Sequence, residues 1–164
     1  MRSRPLRVSF DVDATLTGIP DMPCEPLLPR WRRWLSPEPL RLGAVALMRE
    51  LIRRDMEVWI YTTSFRTPRS LRGWLHAHGI VISGAINQTR HDQVVGRAGP
   101  SKLPLAFGID LHVDDSEGVA LEGQRHGFAV VQIRPEDVHW PGRVLAATAG
   151  IPRVVPATGS GGSA

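Results

Sequence analysis

The first strand and the turn after it are encoded by residues 6–17, LRVSFDVDATLT, in which Asp11 and Asp13 follow an apolar run one residue apart. Successive side chains of a strand point to opposite faces. A turn at Asp11, however, brings both carboxylates to one crevice, where one acid can attack a substrate while the other transfers a proton. This layout is typical of a phosphoryl-transfer site.

A second acidic pair strengthens this interpretation. The apolar run at residues 109–113, IDLHV, is followed directly by Asp114 and Asp115 and then by Ser116. Two strands that each end in paired acids indicate a magnesium site, because Mg²⁺ prefers a few oxygen ligands together with water. The alternative is a purely structural role, in which the acids cap turns and helices. Asp114, Asp115 and Ser116 can cap the segment that follows them.

Length and composition predict one soluble globular domain. The chain has 164 residues, 42% of them hydrophobic, with a mean hydropathy of −0.12, and no apolar run approaches the roughly 20 residues of a membrane span. We therefore expect no membrane partner. The basic start leads straight into the first strand, so no secretory signal is expected. With Cys24 as the one cysteine, no internal disulfide can form, and a cytoplasmic location is expected.

The charge balance predicts an affinity for anions. The formal net charge is +4 and the sequence pI is about 10.5, which suits nucleic acid, acidic protein or small phosphate esters without choosing among them. Of the 20 basic residues, Lys102 is the one lysine and the others are arginines.

Alternating apolar and helical segments predict a three-layer, doubly wound (Rossmann-like) α/β fold with about five parallel strands. Strands are predicted at residues 6–10, 57–61, 80–86, 109–113 and 128–133, and helices at 40–54, 67–78, 117–126 and 136–149. Ligands of such sheets bind at the carboxyl ends of the strands, which is the edge where the acidic pairs and Thr62 fall.

The domain is predicted to span residues 1–151, with a small flap at about 18–39 and no large cap domain. The flap carries six prolines and the aromatic and basic run at residues 30–34, RWRRW. Its tryptophans can stack on a base while the arginines grip phosphates, but packing of the tryptophans on the body is the commoner arrangement. Residues 152–164 have linker composition and are predicted to be disordered.

Four motifs occur in order along this domain. They are Asp-x-Asp-x-Thr at residues 11–15, a strand ending in Thr at residues 58–62, a lysine at residue 102 ahead of the fourth strand, and the acidic pair within residues 113–119. Together they resemble the haloacid dehalogenase-like (HAD) superfamily of phosphohydrolases, in its form with a minimal cap.

The resemblance implies a role for each acid. Asp11 would be the nucleophile that forms an aspartyl-phosphate, and Asp13 would protonate the leaving group and later deprotonate water. Mg²⁺ would be held by the Asp11 carboxylate, the Asp13 backbone carbonyl and an acid of the fourth motif, with Asp115 favoured as the direct ligand and Asp114 behind it. The presence of Asp13 favours phosphatase or phosphotransferase chemistry, because dehalogenases of the superfamily lack this acid.

The resemblance also implies phosphate-binding residues. Thr62 and Thr63 with nearby backbone amides would hydrogen-bond the phosphoryl oxygens, and Lys102 would neutralise their charge. The interval from Lys102 to the acidic pair is shorter than in many members and leaves room for only a brief helix. Arg97 or Arg66 is the alternative source of positive charge.

Substrate contact is expected from Asn87, Gln88 and His91 in the loop after the third strand, and from Arg66. The predicted function is Mg²⁺-dependent hydrolysis of a phosphomonoester, whose substrate is a small metabolite, a nucleotide or nucleic-acid end, or a phosphoprotein. An oligomer is possible on this sequence. The alternatives are a phosphotransferase and a non-catalytic module that binds a phosphorylated partner.

Overall fold

The fold is built on a central parallel sheet. The computed structural model describes residues 4–36 and 38–151, and within them the strands are β1 (Arg7–Phe10), β2 (Glu57–Tyr61), β3 (Gly84–Ile86), β4 (Leu111–Asp114) and β5 (Ala129–Gln132). They form one sheet in the order β3-β2-β1-β4-β5, with every neighbouring pair parallel. The predicted doubly wound α/β fold is confirmed. The predicted tail, residues 152–164, lies outside the described residues.

Helices cover both faces of this sheet. They are α1 (Ala44–Arg53), α2 (Pro68–Ala77), α3 (Gln88–Val94), α4 (Glu117–His126) and α5 (Trp140–Ala149). Successive side chains of β2 point to opposite faces of the sheet. Val58 and Ile60 pack in the main core with residues of α1, α2 and α5. Tyr61 faces the other side in a smaller cluster with Ile86 and Ile109. None of the helices in the described part of the chain has the length and apolar character of a membrane span.

Several predicted boundaries shift for local reasons. The helix expected at residues 40–54 begins at Ala44, because Gly43 before it adopts a left-handed φ of 90° that suits glycine. The helix expected at 136–149 begins at Trp140, with a proline in its first turn where proline is well tolerated. Of the strand expected at 80–86, only Gly84–Ile86 pairs with β2.

The segment after β3 is a helix rather than the expected loop. Helix α3 begins after Asn87, whose side chain accepts a hydrogen bond from the Arg90 backbone N–H. An asparagine before the first turn is a common helix start. The helix itself is seven residues long and mostly polar, QTRHDQV, so it lacks the apolar periodicity by which helices are recognised in a sequence.

The flap lies between β1 and α1. Its described residues include a short 3₁₀ helix, Arg33–Leu35, and the flap is tied to α2, since the indole N–H of Trp74 donates to the Glu38 carbonyl at 3.0 Å. Trp31 and Trp34 are exposed. The interpretation that these tryptophans pack on the body is therefore wrong.

The sheet order places a crevice at the acidic edge. Strand β1 lies between β2 and β4, so the chain moves outward in one direction through β2 and β3 and then crosses back to β4. Crevices at such a reversal, outside the carboxyl ends of the strands, are where doubly wound sheets bind ligands. Asp11, Thr62 and Asp115 each follow the end of one of these three central strands.

Candidate active site

The two acids of the first motif lie in a tight turn after β1. The Asp11 N–H donates to the Val113 carbonyl at 2.9 Å, and the N–H groups of Leu16 and Thr17 both donate to the Val12 carbonyl. Ala14 completes the turn with a left-handed φ of 60°. The turn buries Asp11 and leaves the Asp13 side chain 54% exposed, so the two carboxylates reach the crevice at different depths.

Lys102 is buried against Asp11. Its ammonium donates to Asp11 Oδ1 at 2.7 Å and to the Tyr61 carbonyl oxygen at 2.5 Å, and it lies 4.0 Å from Asp114 Oδ2. The side chain is 2% exposed. A brief 3₁₀ helix, Pro104–Phe107, fills the short interval before β4. This geometry favours Lys102 over Arg97 or Arg66 as the cation beside Asp11.

Two neighbouring groups hold Lys102 in place. Its Nζ lies 4.8 Å from the centre of the Tyr61 ring, and the Tyr61 hydroxyl accepts the Leu103 N–H at 3.0 Å while it contacts His91 Nδ1 at 2.5 Å. On the other side, the Glu122 carboxylate accepts the Lys102 backbone N–H at 3.1 Å. Burial raises the pKa of Tyr61 to about 12, so this hydroxyl stays neutral near pH 7.

Asp114 is oriented by a buried histidine. His112 Nε2 lies 2.9 Å from Asp114 Oδ2, and His112 Nδ1 lies 2.7 Å from the Ser9 hydroxyl on the adjacent strand. The second Asp114 oxygen accepts the Ser116 N–H at 2.9 Å. Burial opposes ionisation of Asp114, but the hydrogen bond from His112, the Lys102 charge and the Ser116 N–H outweigh it and lower the Asp114 pKa. Burial lowers the pKa of His112, which favours the neutral ring with its proton directed to Asp114.

Asp115 is joined to the first motif through Thr15. The Thr15 hydroxyl donates to Asp115 Oδ1 at 2.9 Å and accepts the Asp115 backbone N–H at 3.0 Å. The second Asp115 oxygen has more freedom, because the residue is only partly buried. Burial raises the pKa of Asp115, and the Thr15 hydrogen bond opposes that rise.

Three carboxylates converge into one cluster. Asp11, Asp114 and Asp115 each offer an oxygen, and these oxygens lie within 4.8 Å of one another. Burial raises the pKa of Asp11 to about 6, in spite of the nearby Lys102 charge. When all three carboxylates are ionised, the single positive charge of Lys102 leaves the cluster with surplus negative charge. An all-oxygen donor set with surplus negative charge fits a hard divalent cation such as Mg²⁺.

Arg66 connects the exposed acid to the flap. Its guanidinium donates to Asp13 Oδ2 at 2.9 Å and to the two oxygens of Glu38 at 2.9 and 3.0 Å. The hydrogen bond to Asp13, together with the Glu38 carboxylate, raises the pKa of Arg66 further, so the side chain stays charged. Arg66 thus contacts the expected proton donor.

The expected phosphate-binding threonines directly follow the end of β2. Thr62 is buried, and its Oγ1 accepts the Ser64 N–H at 3.1 Å and donates to the Ser64 hydroxyl at 3.2 Å. Thr63 is exposed at the same turn. The loop that carries both threonines therefore has a defined shape at the mouth of the crevice.

The candidates for substrate contact occupy different environments. Asn87 is buried and its amide donates to the Arg66 carbonyl at 3.2 Å, while Gln88 is partly buried and donates to Asp92 at 2.6 Å. His91 is buried against Tyr61, where burial lowers its pKa. This position favours a supporting role for His91 behind Lys102, and Asn87 supports the loop that carries Arg66.

Several residues that shape the site have no role predicted from the sequence. They are Ser9, Thr15, Glu38, Tyr61, His112 and Glu122. Thr15 had a signal, since it ends the first motif, and His112 had one as a polar residue inside an apolar strand. The other four reach the site only through the fold.

Solved structures share this architecture at low sequence identity. A protein of Mesorhizobium loti described as a HAD-like phosphatase superposes with a TM-score of 0.52 and 16% identity, over 89% of this chain and 87% of its own. The HAD domain of the effector protein Lem4 from Legionella pneumophila gives 0.51 and 15%, over 91% of this chain and 96% of its own.

A third likeness is to a larger protein. A chain of the Pnkp1/Rnl/Hen1 complex superposes with a TM-score of 0.53 and 12% identity over 82% of the present protein. The present protein spans about half of the length of that chain, 48%. No family model matches the sequence, and no match is found among curated proteins. At these identities the likeness establishes the fold, which is HAD-like.

Proposed function

We propose that this protein is a Mg²⁺-dependent phosphomonoester hydrolase that acts through an aspartyl-phosphate on Asp11. The observation that carries the proposal is the buried Asp11 carboxylate, 2.7 Å from Lys102 and within the cluster that it forms with Asp114 and Asp115. The HAD-like fold agrees with it, because the fold occurs in a protein described as a phosphatase.

In the first half-reaction Asp11 acts as the nucleophile. One of its carboxylate oxygens forms a bond to phosphorus as the bond from phosphorus to the ester oxygen breaks. Asp13 gives its proton to the departing oxygen, so an alcohol leaves. Arg66 holds Asp13 by the 2.9 Å hydrogen bond at the mouth of the crevice.

In the second half-reaction water cleaves the acyl phosphate. Asp13, now ionised, takes a proton from the water while the water oxygen attacks phosphorus. The bond between phosphorus and Asp11 breaks, inorganic phosphate leaves, and both acids regain their starting protonation states. Lys102, Thr62 and Thr63 would stabilise the charge on the phosphoryl oxygens in both halves.

The ligands of Mg²⁺ in this proposal are the Asp11 carboxylate, the Asp13 backbone carbonyl and Asp115. Asp114 would support them, because its two oxygens already accept bonds from His112 and Ser116. When bound, the cation would draw negative charge from the transferring phosphoryl group.

The substrates in this proposal are phosphorylated molecules, and the place of action is the cytoplasm. A small metabolite, a nucleotide or nucleic-acid end and a phosphoprotein all present the required phosphomonoester. The basic composition, with a net charge of +4, supports attraction of any of them.

The test is phosphate release from a panel of phosphomonoesters with Mg²⁺ or with a chelator. We expect wild-type turnover only with the metal, and a loss on the order of a thousandfold or more in Asp11→Asn. The matched control is Asp55→Asn, which makes the same chemical change at an exposed turn outside the site. Metal-independent turnover, or full activity in Asp11→Asn, would contradict the proposal.

The same assay separates the alternatives. A phosphotransferase would give faster turnover when alcohols or sugars are added as acceptors. A binding module would retain phosphate affinity without releasing phosphate from any ester. Either result would replace hydrolysis as the assigned activity.

A further inference from the structure

The flap carries five consecutive exposed residues, Arg30, Trp31, Arg32, Arg33 and Trp34, which we call the flap surface. Trp31 is 69% exposed and Trp34 is 77% exposed. Tryptophan is a large apolar residue that normally buries most of its surface in a core or an interface. Two neighbouring tryptophans left open to solvent indicate an interaction site.

Local contacts hold the two rings and leave most of their surface exposed. The Trp34 indole N–H donates to the Trp31 carbonyl at 2.9 Å, and the Arg32 guanidinium lies 4.6 Å from the centre of the Trp31 ring. Arg33 Nε donates to the Leu28 carbonyl at 3.0 Å. The rings are therefore preorganised, which reduces the entropy cost when a ligand stacks on them.

The flap surface is connected to the candidate active site. Four residues after Trp34, Glu38 binds Arg66, and Arg66 binds Asp13. Four residues of extended chain span at most about 14 Å. The Cα atoms of Trp34 and Glu38 therefore lie within about 14 Å of each other. Phe65, the neighbour of Arg66, adds a further aromatic side chain that is 73% exposed.

The charge of the flap surface selects among ligands. Residues 26–36 contain three arginines and no acid, and in the described part of the chain none of these arginines forms an ion pair with a carboxylate. Aromatic rings interleaved with arginines match a ligand in which flat bases alternate with phosphates, as in single-stranded nucleic acid. A phosphopeptide offers one phosphate and no regular series of stacking partners.

We propose that the flap surface binds the single-stranded end of a nucleic acid, with bases on Trp31 and Trp34 and backbone phosphates on the arginines, and so presents a terminal phosphate to Asp11. This assignment rests on the proposed function and names its substrate class. The 5′ and 3′ phosphates offer the same chemistry to the site, and the substrates in the test distinguish them.

The first test measures binding without turnover. Fluorescence anisotropy follows a labelled single-stranded oligonucleotide, phosphorylated at its 5′ or 3′ end, on the Asp11→Asn protein. Adding Trp31→Ala and Trp34→Ala should weaken binding about fivefold or more per ring, as expected when base stacking is removed. Replacement of both by Phe should retain most of the affinity. Leu27→Ala, which trims another exposed side chain of the flap, is the matched control and should leave binding unchanged.

The second test uses salt and turnover. Changing Arg30, Arg32 and Arg33 to Gln should reduce the slope of log affinity against log salt by roughly 0.7 for each single-strand phosphate that the protein no longer neutralises. In the active protein, the two alanine changes should lower the ratio of kcat/KM for the phosphorylated oligonucleotide to that for p-nitrophenyl phosphate.

The outcomes of the two proposals are distinguishable. If no ester is hydrolysed but oligonucleotide binding depends on the Trp31 and Trp34 rings, the proposed function is wrong and the flap surface is still a nucleic-acid binding site. If p-nitrophenyl phosphate is hydrolysed but the alanine changes leave oligonucleotide affinity unaltered, the flap proposal is overturned. Tighter, ring-dependent binding of a phosphopeptide of equal charge would also overturn it.

Discussion

Arg66 lies between two carboxylates and joins them, since its guanidinium donates to Asp13 Oδ2 at 2.9 Å and to Glu38 Oε1 at 2.9 Å. Asp13 is largely exposed and gains no other side-chain partner in the described structure. An exposed carboxylate samples several rotamers unless a partner restrains it. Arg66 therefore fixes the position of the Asp13 carboxylate relative to the crevice. The flap residue Glu38 in turn fixes the position of the Arg66 guanidinium.

Removing this restraint should impair proton transfer to the leaving group. We expect Arg66→Gln to lower kcat for an alkyl phosphate about tenfold or more, because a general acid contributes roughly 10²–10⁴-fold when it is well placed. The loss should be smaller for p-nitrophenyl phosphate, whose leaving group needs little protonation. Arg69→Gln, an exposed arginine at the start of α2, is the control. An equal loss for both substrates would contradict a role through Asp13.

Breaking the pair of Lys102 and Asp11 should destabilise the protein. Lys102→Met leaves a buried carboxylate without its 2.7 Å partner, and removal of one member of a buried ion pair typically costs about 3 kcal/mol or more. We expect a fall of that order in the free energy of unfolding by urea at pH 7 with a chelator present. Adding Asp11→Asn to Lys102→Met should recover part of the loss, and strict additivity of the two changes would argue against the pair.

The raised pKa of Asp11 should appear in stability against pH. The folded pKa is about 6 and the unfolded value is about 4, so the folded state binds more protons between these values. The contribution of Asp11 to stability must then fall as pH rises from about 4 to 6. The difference in unfolding free energy between wild type and Asp11→Asn should change by on the order of 2 kcal/mol over this window in chelator. A flat difference would contradict the shift.

Magnesium should oppose this trend, because a cation binds the ionised carboxylates. In saturating Mg²⁺ the melting temperature of the wild type should rise at pH 7 more than at pH 5. Asp11→Asn should show a smaller rise at both pH values. No metal-dependent change in Tm at either pH would contradict a site at this cluster.

His112 should tune metal affinity through Asp114. Its Nε2 contacts Asp114 at 2.9 Å in full burial, and groups that orient a ligand cluster in this way typically change metal affinity roughly 10–100-fold when replaced. We expect His112→Asn, which lacks a donor in the Nε2 position, to raise the Mg²⁺ concentration needed for half-maximal stabilisation about tenfold. His112→Gln, which can still reach Asp114, should have less effect. A smaller effect of His112→Asn than of His112→Gln on this Mg²⁺ concentration would contradict the assignment.

The architecture and the acidic edge could be predicted from sequence because each depends on local patterns. The strand of residues 7–10 and the acids that follow it are adjacent in the chain, and the order of parallel strands brings Asp11 and Asp115 to one edge. Helix α3 could not be recognised by periodicity, since only its cap at Asn87 is a local signal.

The restraints on the site are long-range and left no sequence pattern. Arg66 and Asp13 are 53 positions apart, and Ser9 and His112 are 103 positions apart. Their pairing depends on strand register, in which Ser9 lies beside His112, and on the path of the flap. The exposure of Trp31 likewise depends on how the flap folds over α2.

A covalent phosphoryl group on Asp11 is detected by the mass of the acid-quenched protein. Asp13→Asn should form the intermediate from p-nitrophenyl phosphate and Mg²⁺ but hydrolyse it slowly, because the base for water is missing. We expect a mass gain of one phosphoryl group that maps to Asp11 and is removed by hydroxylamine. We expect no gain when Asp11→Asn is added. Turnover by the wild type with no adduct in Asp13→Asn, or an adduct on another residue, would contradict an aspartyl-phosphate on Asp11.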